Sequence, residues 1–457
     1  MDPSDVAASS SSTCSRSSDG RNSSRHHGNN VGRLAPTPSG YLHIGHARTF
    51  WIAQQRALQT ESGSLILRIE DLDGPRCKPH YLTDMMDDLR WFGFHWTHGP
   101  SISPRHGHTG DIDCGDESQL KKSKLDDDGN NATGGGSLLD LVPFRTFHGE
   151  SLVPFAREYK QSQRLPLYRA AWRRLVQLRL VYPSPHSRKD VLGALSAPHE
   201  GDEEIIFPPS LRPPYMQQHQ HRNQQPYPAE LLTLTEPNKI NWRFRVPDND
   251  WLDGVTVADD ALQSPAAVAD ESVVGDEHHS SPAPGRSVGD DVTFTDGQQG
   301  PQSFRCGRDF GDFVVWRSDG LPSYELAVVV DDITMGVTEV VRGGDLLLST
   351  ARQLLLFRAL LRGLQDADTD LPATGDPAPP SFFHCDLVRD KPGGKRLAKR
   401  MQTPAATPAD ALPLPISEQD KFTLKALREQ GWTPERIRLE KLGLTGGGET
   451  DTARRKN

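Results

Sequence analysis

Residues 33–48 read R-L-A-P-T-P-S-G-Y-L-H-I-G-H-A-R. Residues 32–36 have the look of a strand end that runs into a Pro- and Gly-rich turn. A helix follows at once over about 46–61, because Ala47, Phe50, Trp51, Gln54 and Leu58 recur at helical spacing. A helix that begins straight off a strand offers free backbone N–H groups and a positive dipole end, which suit a phosphate. Gly40 and Gly45 let the backbone come close to a ligand there. His43 and His46 lie about one turn apart, so both can face one bound group. A nucleotide triphosphate attacked at its α-phosphate needs such donors. Taken alone, two histidines at a helix start also fit capping or surface roles.

Outward from this turn the pattern is α/β. Residues 64–69 predict a buried strand, 80–92 and 167–180 helices, 313–316 and 325–330 strands, and 349–361 a helix. The apolar run 326–330 reads as a core strand. Strands alternating with helices imply a mainly parallel, doubly wound sheet. Ligands in such sheets lie beyond the carboxyl ends of the strands, where connections diverge.

The chain has 457 residues, 35% hydrophobic and 25% charged, with 40 Gly and 36 Pro. The apolar share is low for one packed body, so part of the length is expected to be unpacked. No apolar run approaches the ~18 residues of a membrane span, and no membrane role is expected. The five cysteines form no CxxC and no close pair, against a disulfide scaffold or a clustered-thiolate zinc site. Net charge is −9, most of it in residues 259–291, with eight acids and one Arg. An acidic total does not exclude an RNA partner, which responds to local patches.

Composition divides the chain. Residues 1–30 form a Ser-, Asn- and His-rich leader without an apolar core. The expected compartment is the cytoplasm, with organelle import left open. Stretches 106–149, 198–237 and 258–291 read as low-complexity insertions. The expected division is a catalytic first half over 31–181, an inserted knuckle-like subdomain over 182–310, a second catalytic half over 311–401, and a short helical tail over 402–457.

P-S-G-Y-L-H-I-G-H resembles the H-I-G-H signature of class I aminoacyl-tRNA synthetases, and R-L-A-P-T-P-S-G resembles their glutamate-specific branch. R-I-E-D-L-D (68–73), D-G-L-P-S-Y-E-L-A-V-V-V-D-D (319–332) and V-R-G-G-D-L-L (341–347) follow in the order of that family. The glutaminyl branch resembles F-P-P-E-P where this chain has Ala35, Pro36 and Thr37. With only 58 residues after Lys399, the shape is similar to the glutamyl-queuosine tRNA(Asp) synthetase family, truncated paralogues of glutamyl-tRNA synthetases. Asp331-Asp332 and the run from Gly336 to Arg342 fit that family especially well.

The resemblance implies a fold, a reaction and a set of residues. The fold is a Rossmann-type catalytic domain. The reaction is ATP-dependent activation of L-glutamate, followed by transfer to queuosine in the anticodon loop of tRNA(Asp). Arg33, Ala35, Pro36, Thr37, Glu70, Tyr324 and Arg342 would hold glutamate. Arginine forks suit carboxylates, whereas Glu70 and Tyr324 suit the ammonium. Pro38, Gly40, His43, Gly45 and His46 would meet ATP, together with Arg396, Leu397 and Lys399 of a Lys loop in which Arg396 and Ala398 depart from K-M-S-K-S. His43, His46 and Lys399 would stabilise the transition-state charge. ATP would arrive with Mg²⁺ held largely by its phosphates and water, and no protein metal site is expected. Bacterial relatives carry a zinc knuckle where this chain has Ser184, His186, Phe207 and Leu211, so zinc is expected to be absent and Pro residues to hold the knuckle. Asp71 and Asp73 are expected to bond neighbouring loops. The expected partners are glutamate, ATP and tRNA, with tRNA(Asp) favoured, and the chain a monomer. Two rival readings are a compact glutamyl-tRNA synthetase charging tRNA(Glu) and a synthetase-like binding protein without catalysis.

Overall fold

The computed structural model describes residues 30–60, 62–100, 146–147, 150–187, 190–191, 206–217, 226–247, 291–361, 378–388 and 420–444. Strand β1 (Val31–Leu34) pairs in parallel with β2 (Ser64–Leu67). Between them runs α1 (Ile44–Ala57), whose buried face includes Ala47, Phe50, Ala53 and Ala57. The helix packs so closely on β1 that a Cβ at Gly32 would lie 2.8 Å from that of Ala57, which is why glycine stands there. Helix α2 (Pro79–Phe92) starts with proline in its first turn and stops at Gly93, in the left-handed conformation at φ 93°.

Helix α3 (Leu165–Gln177) buries Leu167, Tyr168, Trp172 and Leu175. Strands β3 (Val181–Ser184) and β4 (Asn241–Phe244) pair antiparallel. The hairpin of β5 (Asp291–Asp296) and β6 (Gly300–Arg305) follows. Strand β7 (Phe313–Trp316) completes the antiparallel sheet β3-β4-β7. Helix α4 (Tyr324–Thr334) then leads to β8 (Glu339–Gly343), α5 (Leu347–Leu361) and β9 (Ser381–Cys385).

Strands β8 and β9 are parallel, and β5 and β6 extend their sheet. β1 lies beside β8: Thr338 donates its backbone N–H to Val31 O at 2.9 Å, and Val31 N–H reaches Thr338 Oγ1 at 2.8 Å. β1 is therefore flanked by β2 on one side and β8 on the other. This is a doubly wound arrangement, and the chain diverges at the carboxyl ends of β1 and β8. One core lies under α3, α4 and α5, the other between α1, α2 and the C-terminal helix α6 (Leu424–Glu429). Leu424 N–H donates to Leu42 O at 2.8 Å, which ties α6 to the turn before α1. Among the described residues no helix is long and apolar enough to cross a membrane.

Three expectations are corrected. Residues 325–330 are helical, not a strand. Ser323 caps the helix by accepting from Leu326 N–H, and every residue from Glu325 to Thr334 is buried. A fully buried helix has no polar face, so its apolar run imitates a buried strand. Within the stretch 198–237, the described residues 206–217 and 226–237 are folded rather than without structure of their own. Phe207 and Met216 are buried in a small core with Tyr182 and Val191, and Tyr227 donates its hydroxyl to Val181 O at 2.8 Å. Nor do prolines alone hold the knuckle. The Asp312 carboxylate accepts from Tyr182 Oη at 2.6 Å, from Arg212 Nε and Nη2 at 2.7 Å each, and from Val246 N–H at 2.9 Å.

Candidate active site

The divergence between β1 and β8 is also where the predicted glutamate residues meet. Arg33, on β1, is buried and donates Nη1 to Val341 O on β8 at 3.0 Å. Its Nε has no hydrogen-bond partner, although Asp332 Oδ1 lies 3.6 Å away. Burial lowers the Arg33 pKa, against the pull of Asp332. Arg342, on β8, donates Nε to His384 Nε2 at 3.1 Å and Nη2 to Thr350 Oγ1 at 2.7 Å. Its Nη1 is buried without a hydrogen-bond partner.

Glu70 follows β2, and its backbone N–H donates to Pro36 O at 3.0 Å. That bond fixes it against the turn containing Ala35, Pro36 and Thr37. Arg68 Nη2 donates to Glu70 Oε1 at 3.1 Å. Burial raises the Glu70 pKa despite Arg68 and Arg33 nearby. Tyr324 opens α4 and stays 41% exposed as a residue, yet its hydroxyl is pushed up to about 12 by desolvation, among the charges of Arg342, Glu70, Glu325 and Arg33. Two cations, one carboxylate and one phenol therefore converge, and two guanidinium nitrogens are left without acceptors. Such a site suits an amino acid that carries extra negative charge.

Beneath these residues lies a buried charge network that the sequence reading missed. Arg68, fully buried, donates Nη1 to Asp332 Oδ1 at 2.6 Å, and its Nε lies 3.6 Å from Asp331 Oδ2. Burial pulls its pKa down, but Asp332, Asp331 and Glu70 more than reverse this and hold it well above the ordinary value. Asp331 accepts from Arg164 Nε at 2.7 Å, from Gln161 Nε2 at 2.8 Å and from Tyr168 Oη at 2.9 Å. Glu325 accepts from Ser349 Oγ and Gln353 Nε2, both at 2.8 Å. The available signal was charge inside apolar runs, at Arg68 after L-I-L and at Asp331-Asp332 after V-V-V.

The phosphate side is built locally. His43 is the N-cap of α1, and its Nδ1 accepts from Gly45 N–H at 3.0 Å. His46 Nδ1 accepts in turn from His43 N–H at 3.2 Å, and the ring centroids are 3.8 Å apart. The capping reading of this pair is thus present in the geometry. Each imidazole engages Nδ1 with the backbone, and the two rings lie together at the positive end of α1. An added Cβ at Gly45 would lie 2.8 Å from the His43 ring, so the histidine pair by itself also requires glycine there. At Gly40 an added Cβ meets nothing within 4 Å. Pro38 O accepts from Lys78 N–H at 3.3 Å, which fastens the turn to the start of α2. Arg396, Leu397 and Lys399 lie outside the described residues.

Asp71 accepts from Ser162 N–H and Oγ of a neighbouring loop, whereas Asp73 accepts from Arg76 Nε at 2.5 Å within its own turn. Among the described residues no group of three or more His, Cys, Asp or Glu is placed to hold a metal ion. At the knuckle, Phe207 and Leu211 offer carbon side chains, which cannot ligate zinc.

The family model described as tRNA synthetases class I (E and Q), catalytic domain, matches residues 31–108 and 288–366. The chain is 33% identical over 408 residues to the glutamyl-Q tRNA(Asp) synthetase of Symbiobacterium thermophilum, covering 89% of this chain and 83% of that protein. To the protein of the same name from Nitratidesulfovibrio vulgaris it is 32% identical, covering 81% and 78%. Among solved structures it is similar to a glutamate tRNA ligase from Elizabethkingia meningosepticum in complex with its amino acid, with 21% identity and a TM-score of 0.46. That match covers 82% of this chain, which spans about half of the solved one, at 52%.

Proposed function

This chain belongs to the glutamyl-Q tRNA(Asp) synthetase family, enzymes of the glutamyl-tRNA ligase type, and from that premise we propose that it activates L-glutamate with ATP and transfers the glutamyl group to queuosine in tRNA(Asp). The observation that carries the glutamate half is the pair of buried arginines, Arg33 and Arg342, each with a guanidinium nitrogen lacking a hydrogen-bond partner, beside Glu70 and Tyr324. A neutral glutamine would bring no charge to Arg342, whose Nη1 lacks a hydrogen-bond partner, so the pocket discriminates by charge.

In the proposed reaction an α-carboxylate oxygen of glutamate attacks the α-phosphorus of ATP in line. The bond to the bridging oxygen breaks, and pyrophosphate leaves. His43 and His46 at the start of α1 hold the phosphates, and Lys399 supplies positive charge as negative charge accumulates on the leaving pyrophosphate. Mg²⁺ arriving with ATP would neutralise part of the phosphate charge. In this reading Ala35, Pro36 and Thr37 serve the amino-acid side and Pro38, Gly40 and Gly45 the nucleotide side, and Arg396 and Leu397, outside the described residues, are assigned to ATP by family resemblance. An acceptor oxygen of the tRNA then attacks the adenylate carbonyl and expels AMP. The acceptor tRNA(Asp) rests on the relatives' names. We place the reaction in the cytoplasm, carried out by a monomer.

Two assays test this. The first is glutamate-dependent ATP–pyrophosphate exchange by the purified chain, with and without tRNA. The second is transfer of radiolabelled glutamate to tRNA(Asp) with or without queuosine. Exchange without tRNA and transfer only to the queuosine-containing tRNA are expected. Charging of tRNA(Glu) instead would replace the acceptor, and absence of exchange under every condition would overturn activation itself.

A further inference from the structure

Behind Arg342 lies a polar relay that the proposed reaction does not use. His384, on β9, is fully buried. Its Nδ1 lies 2.6 Å from Asp296 Oδ2, at the end of β5. Its Nε2 faces Arg342 Nε at 3.1 Å and Thr350 Oγ1 at 3.0 Å. Arginine nitrogens only donate, so His384 Nε2 must carry the lone pair and Nδ1 the proton. Asp296 enforces that tautomer. Its Oδ1 accepts from Gln298 N–H at 2.9 Å and Gln299 N–H at 2.8 Å, the His384 N–H is shared between Oδ1 and Oδ2 at 3.1 Å each, and Oδ2 is the oxygen turned to the ring. Thr350 takes Arg342 Nη2 at 2.7 Å. Two of the three guanidinium nitrogens are thereby fixed, and the third, Nη1, is the one without an acceptor.

We infer that Asp296 and His384 are positioning residues for glutamate: they lock a single histidine tautomer, which turns Arg342 so that Nη1 is presented to a substrate carboxylate. The inference deepens the proposed reading and rests on Arg342 as a glutamate ligand. Neither residue touches substrate. Both act through Arg342, on binding of the amino acid rather than of ATP. A protonated His384, or one with its hydrogen on Nε2, would set N–H against N–H and displace the guanidinium.

Three variants separate this from a structural role. Asp296→Asn keeps a carbonyl oxygen for the backbone donors and turns an NH₂ group to Nδ1, which moves the ring proton to Nε2. His384→Asn reaches Asp296 but not Arg342. His384→Gln places an amide oxygen where Nε2 stood. The Michaelis constants for glutamate and ATP are measured separately in pyrophosphate exchange, alongside melting temperatures. Asp296→Asn and His384→Asn are expected to raise the glutamate constant roughly ten- to a hundred-fold, with the ATP constant unchanged, the scale of losing one hydrogen bond to a charged group. His384→Gln should recover most of the loss. Equal glutamate constants for the Asn and Gln variants, or a parallel rise for ATP, would overturn the inference. If Asp296→Asn does not fold, the His384 pair decides alone. Nitrogen NMR of histidine-labelled protein, assigned with His384→Gln, reads the tautomer directly. A proton on Nδ1 is expected, and one on Nε2 overturns the inference. Because that spectrum needs no turnover, wild-type protein without glutamate-dependent exchange would count against the activity and not against the relay.

Discussion

Two buried arginine–aspartate clusters in this chain are finished differently. At the knuckle, Asp312 receives Tyr182, both Arg212 nitrogens that face it, and a backbone N–H. At the cleft between β1 and β8, Arg342 keeps a buried Nη1 without a hydrogen-bond partner, whereas the unbonded Nε atoms of Arg33 and Arg68 lie 3.6 Å from Asp332 and Asp331. The costs are of similar kind, since every guanidinium and carboxylate has left water. The difference is that the knuckle closes on itself, as a structural element should. The cleft retains donors, and a buried donor without an acceptor calls for a ligand or another explanation. Between these two clusters, satisfaction more than charge separates scaffold from candidate site.

The largest effect expected from this contrast is on stability. Asp312→Ala removes the carboxylate that accepts from Arg212 Nε and Nη2 and should destabilise the fold by about 3–5 kcal/mol in urea titration. The folded fraction should keep its Michaelis constant for glutamate. A changed constant would mean that the knuckle is part of the pocket, and the comparison would fail. Next is Arg342→Ala, expected to cut kcat/KM for glutamate in pyrophosphate exchange by roughly 10²–10³-fold, the scale of losing a buried charged ligand contact. Its melting temperature should move little, because an incompletely paired buried cation disappears. Collapse of the fold would instead make Arg342 a scaffold residue.

The two regions also differ in how far the sequence revealed them. The turn from β1 into α1 was legible because its signals are local: a strand end, Pro and Gly, then helical spacing. The parallel sheet followed from alternation of strand and helix patterns. Arg33, Glu70, Tyr324 and Arg342 were picked out by family resemblance, and the fold brings them together. Their support was not legible. Arg164 meets Asp331 across 167 positions, and His384 meets Asp296 across 88, with no local pattern to announce either pair. Helix α4 was mistaken for a strand because burial on all sides erased its periodicity. The Pro/Gln/His-rich composition around Phe207 and Arg212 concealed a packed knuckle, since composition does not register which few residues turn inward.

A third carboxylate sharpens the comparison, with the smallest expected effect. Asp88 on α2 is fully buried beneath α6, and neither of its oxygens has a hydrogen-bond partner. The nearest cation, Arg428 Nη1, is 3.5 Å away and one third exposed. Burial pushes the Asp88 pKa up from 3.8 to about 7, against the pull of Arg428. Here the unsatisfied group lies between α2 and α6, and it resolves its burial by taking up a proton. The sign follows from linkage. The folded state holds this proton to higher pH than the unfolded chain, so the contribution to stability is full below 3.8 and is lost as pH rises to about 7. Asp88→Asn cannot lose the proton. It should match wild type near pH 4 and exceed it at pH 8 by on the order of 1–3 kcal/mol, measured as urea midpoints across that range. A pH-independent difference between the two proteins would show that Asp88 stays ionised against Arg428, and would move this pair from the proton-buffered class to that of the satisfied knuckle.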